Sequence, residues 1–197
     1  MATVSISRRD ILRTLAVGAV GGSVLQVIPA EAAEYIHQVV RNEKSVAAGK
    51  YAPKYFSASQ YATLTALCAA IIPKDDRSPG AVEAGAPEFI DLLTSENEEF
   101  QHRLGGGMMW LENFCSDRYA NSYLSCTPAQ QKEALDAIAF RRNAKTDPAL
   151  GPGIAFFALL RNMTCDAFYT SKIGIEDLQY IGNTSVAEFP GCPPIPE

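Results

Sequence analysis

Residues 96–123 read ENEEFQHRLGGGMMWLENFCSDRYANSY. Phe100, Leu104, Met108, Leu111, Cys115 and Tyr119 recur at spacings of three and four, which stacks them on one face of a long amphipathic helix. Gly105–Gly107 weaken its middle, each by about 1 kcal/mol relative to alanine in an exposed helix. The glycines predict one of two things: a kink or break at mid-helix, or a site where another backbone comes close and a partner packs.

The same periodicity extends in both directions. Ser57 or Ser59 caps a helix with Leu64, Leu67, Cys68 and Ile71 at i, i+3, i+4 and i+7, and Pro73 stops it just past Ile72. A loop with Ser78-Pro79-Gly80 follows. Pro87 takes a first-turn position ahead of Phe89, Leu92 and Leu93. Downstream, Thr127-Pro128-Ala129-Gln130 joins a cap, a first-turn proline and a Gln three residues on, the capping-box arrangement. That helix runs through Leu135 and Ile138 toward Arg142. Phe156, Leu159, Leu160 and Met163 stripe a last helix ending near Tyr169. No alternating strand of useful length, repeat or low-complexity tract appears, so the fold class is all-α, an irregular helical bundle.

Both ends depart from this pattern. Arg8 and Arg9 stand in Ser7-Arg8-Arg9-Asp10-Ile11-Leu12-Arg13, ahead of a weakly apolar run from Thr14 to Ile28 that carries three glycines. The run is too short to cross a bilayer core as a helix, which needs about 20 residues. The pattern resembles a twin-arginine export signal, read by the twin-arginine translocase. Ala30 and Ala32 offer the small side chains that a signal peptidase requires, so a cut before Ala33 is expected, with an uncleaved N-terminal anchor as the alternative. At the other end, Gly174, Gly182, Gly191 and prolines 190, 193, 194 and 196 argue against a stable helix. Leu178, Tyr180, Ile181, Val186 and Phe189 give this tail apolar content, so it lies back over the body or drapes on another chain. The chain thus divides into a signal peptide over 1–32, a lead-in over 33–56, a helical domain over 57–173 and an extended Gly/Pro-rich tail over 174–197.

Composition narrows the function. The chain has 197 residues, 47% apolar and 20% charged, with 17 Lys and Arg against 22 Asp and Glu. A net charge of −5 is a poor match for nucleic acid, whose binding rests on neutralising phosphates. His37 and His102 are its two histidines, little material for a metal centre or a Ser-His relay. Neither Gly105–Gly107 nor Gly151-Pro152-Gly153 completes the dinucleotide-binding G-x-G-x-x-G turn. Cys68, Cys115, Cys126, Cys165 and Cys192 form no C-x-x-C pair, against zinc, iron–sulfur and c-type haem sites. Cys68 lies on an apolar helix face and is expected as a buried thiol. Cys192, in the tail beside Pro193, is expected as an exposed thiol or an interchain disulfide, with an internal bridge to Cys165 or another cysteine as the alternative. Lys74-Asp75-Asp76-Arg77-Ser78 lacks the alternating acids of a calcium loop and reads as a turn. No cofactor or catalytic constellation is expected in this chain.

Two blocks resemble one family. The first runs from Leu64-Thr65-Ala66-Leu67 through Ile71-Ile72-Pro73-Lys74-Asp75-Asp76-Arg77-Ser78-Pro79-Gly80 to Gly85 and Phe89-Ile90-Asp91. The second holds Phe168-Tyr169-Thr170-Ser171, Gly174, Leu178, Tyr180, Gly182-Asn183 and Gly191-Cys192-Pro193. Together they resemble the gluconate 2-dehydrogenase subunit 3 family. Ala167 and Lys172 stand where that pattern usually has Gly and Pro, and Leu178-Gln179-Tyr180 where it usually has Leu-Gly-Tyr, which puts the local turn geometry in question.

The resemblance implies a small, non-catalytic accessory subunit of a periplasm-facing dehydrogenase complex. Its partners would be an FAD-dependent large subunit of the glucose-methanol-choline type, which oxidises a sugar, sugar acid or polyol, and a multihaem cytochrome c. FAD and c-type haem would belong to those partners. The small subunit would help the flavoprotein fold and carry it through the twin-arginine pathway, remaining peripheral to the inner membrane through the complex, or anchored there if the signal peptide stays. Asp75, Asp76, Ser78, Phe168, Tyr169, Tyr180, Asn183 and Cys192 are the candidate partner contacts. Two other readings stand beside this one: a structural periplasmic protein without a dehydrogenase partner, and an enzyme using Asp75, Asp76 or a cysteine.

Overall fold

The computed structural model describes residues 28–47, 49–180 and 182. Among them are eight α-helices and no strand: α1 (Ala30–Val46), α2 (Ala58–Ile71), α3 (Ala86–Ser95), α4 (Glu98–Tyr119), α5 (Pro128–Ala139), α6 (Asn143–Thr146), α7 (Gly151–Tyr169) and α8 (Lys172–Asp177). Short 3-10 turns lie at Tyr123–Ser125 and Pro148–Leu150. None of these helices is long and apolar enough to cross a membrane. The irregular all-α bundle is the architecture the periodicity predicts.

Local chemistry sets the helix boundaries. Ser57 accepts from the Gln60 backbone N–H while the Gln60 side chain accepts from Ser57 N–H, and Thr127 and Gln130 repeat this reciprocal bond at α5. The start of α4 uses a cap the periodicity did not mark, Asn97, whose side chain accepts from Phe100 N–H. Gly85, at φ 83°, turns the chain into α3 in the left-handed region.

The most heavily packed pair is α4 with α7, and α7 also packs on α3 and α5. The glycines explain how α4 and α7 come together. A Cβ on Gly107 would lie 2.0 Å from the Phe156 ring, and one on Gly153 would lie 2.3 Å from the Trp110 ring. Each helix therefore seats an aromatic ring of the other in a gap made by a missing side chain. A third gap, at Gly105, admits the Tyr55 hydroxyl, which donates to the Gln101 carbonyl at 2.9 Å. Helix α4 runs unbroken through all three glycines, and at Gly105 and Gly107 side chains of this same chain approach, rather than another backbone. The helix tolerates the propensity cost because packing outweighs it.

A single carboxylate ties the segment ahead of α2 to α3. Asp91 is fully buried. It accepts from Tyr51 Oη (2.9 Å) and Lys54 N–H (2.7 Å) at Oδ2, and from Tyr55 (3.1 Å) and Phe56 (3.0 Å) N–H at Oδ1. These donors converge on a group that would otherwise be costly to bury.

Two segments differ from their sequence reading. The lead-in over 33–56 begins with α1, whose Ala33, Ile36, His37 and Val40 are buried. Their spacing carries the helical signal, hidden beside a small-residue motif that reads as a cleavage site. The tail expected from residue 174 begins inside α8, so the helical body extends to Asp177. Gly174 fits there because a Cβ would fall 2.1 Å from the Phe168 carbonyl oxygen.

Candidate functional site

The connection between α2 and α3 contains an exposed turn closed by a narrow neck. Ala81 N–H donates to the Ile72 carbonyl at 2.9 Å, and a Cβ on Gly80 would lie 2.6 Å from Lys74 N, so glycine is needed where the two arms of the neck pass. Within the turn, Asp75 Oδ1 accepts from Arg77 (2.8 Å) and Ser78 (2.7 Å) N–H. These two bonds hold the Asp75 carboxyl below its ordinary range. Asp75 and Asp76 are exposed and Ser78 is half-buried. The sequence reads as a turn here, and the geometry is an Asx turn. It presents a charged, preformed tip at the surface.

The second block folds into the α7–α8 corner, and each residue of Phe168-Tyr169-Thr170-Ser171 has a different task. Phe168 is only 1% exposed and belongs to the core, which corrects its expected role as a contact: its helical position faces inward. Tyr169 is 45% exposed. Thr170 Oγ1 meets His37 Nε2 at 3.0 Å, fastening α1 to the end of α7. Ser171 Oγ donates to the Phe168 carbonyl (2.7 Å) and accepts from Gly174 N–H (3.0 Å), capping α8. Tyr180, 54% exposed, follows α8 and donates its N–H to the Ile175 carbonyl at 3.2 Å. With Ile175 and Leu178 also exposed, the corner displays apolar and aromatic side chains suited to a protein interface.

An open groove of about 340 Å³ lies between α2, α4 and the 123–125 turn. Both oxygens of its Glu112 are engaged: Oε2 accepts from Tyr123 N–H at 3.0 Å and Oε1 from the Thr63 hydroxyl at 3.4 Å. The carboxylate therefore shapes the turn. Cys68 is fully buried beside Thr164 Oγ1 at 3.6 Å, and burial pushes its thiol up to about 12. Cys115 is pushed up to about 12 by burial, with Cys126 beside it adding to the shift. Such thiols are poor nucleophiles at neutral pH. Among the described residues no group of three or more His, Cys, Asp or Glu could hold a metal ion. Arg8, Arg9, Asn183 and Cys192 lie outside the described residues, whereas Ala30, Ala32 and Ala33 fall in the first turn of α1.

The family model for gluconate 2-dehydrogenase subunit 3 matches residues 58–191, from the start of α2 past the α7–α8 corner. The chain belongs to that family. No curated protein and no solved structure matches it. In this subunit 3 chain, the departures from the usual pattern leave the turns intact. Lys172 is the first residue of α8, the position at which a helix accepts proline. Gln179, where glycine is usual, has φ 54° and holds the left-handed conformation that glycine adopts without strain. The helix still ends as it would with glycine.

Proposed function

We propose that this subunit 3 chain is the accessory, non-catalytic subunit of an FAD-dependent dehydrogenase complex that oxidises a sugar, sugar acid or polyol. Its role is to bind the flavoprotein subunit during folding and to lend it a twin-arginine signal, so that both cross the membrane as one folded cargo. Family membership over residues 58–191 is the observation that carries this reading. Arg8 and Arg9, at the head of the chain, supply the second half of it.

Division of labour follows from the chemistry. Folded export suits a protein whose cofactor is inserted before transport, and the FAD that requires it sits in the large subunit. A multihaem cytochrome c then takes the electrons. The complex resides on the periplasmic side of the inner membrane. The preformed Asp75–Ser78 turn and the aromatic corner at Tyr169 and Tyr180 are the surfaces assigned to the flavoprotein, because both hold defined shapes and stay exposed in the isolated chain. Asn183 and Cys192 are assigned to the same partner on the family resemblance alone.

The test is export of the partner. Replacing both Arg8 and Arg9 by Lys and fractionating the cells is expected to leave the flavoprotein activity in the cytoplasm. Unchanged activity in the periplasm would contradict the carrier role.

A further inference from the structure

The small-residue motif that reads as a cleavage site is built into the folded body. Ala32 and Ala33 lie in the first turn of α1, where both N–H groups donate to the Pro29 carbonyl at 3.0 Å. Ala33 is fully buried, Ala32 nearly so, and Ile36, His37 and Val40 continue the buried face along α1. That face packs on α3, with the His37 ring 4.9 Å from Phe89 and hydrogen-bonded to Thr170. The chain is also held upstream of the motif: Ile28 packs on the core and its N–H points to Asp166 Oδ2 at 3.4 Å. Contacts with the body thus lie on both sides of the Ala32–Ala33 bond.

A peptidase that reads small residues at the first and third positions before its cut needs those residues extended in its cleft, with their side chains free. Here they are coiled in a helix with the flanking residues docked. To present the bond, the chain must unwind the first turn of α1 and lift Ala33 and Ile36 from the core, which makes proteolysis depend on a rare opened state. The product would also fit badly. Hydrolysis adds one water, leaving a carboxylate on Ala32 and an ammonium on Ala33, a charged group at a position with no access to solvent.

We infer that the Ala32–Ala33 bond is protected by the docking of α1, so that residues 28–32 and the leader joined to them stay on the folded subunit. This inference rests on reading residues 1–32 as an export leader, since folding before transport means the body is already assembled when the peptidase meets it.

Two measurements test it, one independent of export. Purified full-length chain is incubated with purified signal peptidase in detergent, beside an Ile36→Asp/Val40→Asp variant that undocks α1. The parent chain is expected to be cut before Ala33 at least about tenfold more slowly than the variant, as expected for cleavage through local opening. Equal rates, or no cleavage of either chain, overturn protection by docking. The second measurement is N-terminal sequencing of the chain recovered from the periplasmic face of cells. An N-terminus that still carries Arg8 and Arg9 bears the inference out, and a start at any residue beyond them, Ala33 included, overturns it. Failure of export itself shows separately, as absence of the chain from that fraction, and leaves the detergent assay to decide.

Discussion

Gly105, Gly106 and Gly107 are chemically identical and stand in one helix, yet their surroundings differ. Gly107 is buried under the Phe156 ring, whereas Gly106 is exposed with nothing within reach of a Cβ. Gly107→Ala is therefore expected to destabilise the fold by about 1–3 kcal/mol through overpacking, and Gly106→Ala to stabilise it by up to about 1 kcal/mol through helix propensity. Urea denaturation of the two variants checks this, and equal effects would remove the aromatic lock between α4 and α7. His37 makes a prediction in pH. Burial, with Arg41 nearby, lowers its pKa to about 4 from an ordinary 6.5. The unfolded chain then binds the proton first as pH falls, so His37 contributes its full stability above pH 6.5 and loses it between about 6.5 and 4. The slope is at most about 1.4 kcal/mol per pH unit. Thermal unfolding at pH 7 and pH 5 should show the loss, and His37→Gln should flatten it.

At the scale of elements, α3 is short but holds the bundle through Asp91. Four donors end on that carboxylate, three of them backbone N–H groups of the segment leading into α2. Asp91→Ala leaves them without an acceptor and is expected to cost about 3 kcal/mol or more. Limited proteolysis should then cut first between residues 49 and 57; an unchanged digestion pattern would argue against the clasp. Nothing near Asp91 in the sequence announces this role, because its partners lie 35 to 40 positions away. Elements governed by local rules were legible: the capped starts of α2 and α5, the proline that ends α2, and the apolar face of α4. Elements whose meaning depends on distant chain were not. The triple glycine needed Phe156 and Tyr55 to explain it, and α1 was obscured by a motif with a second reading. The candidate site divides in the same way. The Asp75 turn is a local hydrogen-bond pattern and could be read from five residues, whereas the inward direction of Phe168 is set by the packing of α7.

For the whole molecule, the fold uses its buried and half-buried polar groups to shape itself. Asp91, Glu112, Thr170 and Ser171 each fix a turn or a junction. Among the features that the described body offers outward are a charged turn and an aromatic corner on a small helical bundle, a form that suits a subunit recognised by another protein. The family match covers this body from α2 onward, while the arginine pair precedes it. On the proposed function, one chain joins a docking domain to an export address. The most direct test is to capture the full-length chain by a C-terminal tag from the membranes of the cells that make it and to record the absorbance of the eluate. The account predicts a stoichiometric large subunit with a bound flavin spectrum, lost when the Asp75–Ser78 turn and Tyr169 are replaced together in a variant that still folds. A folded chain that elutes alone and without flavin would contradict it.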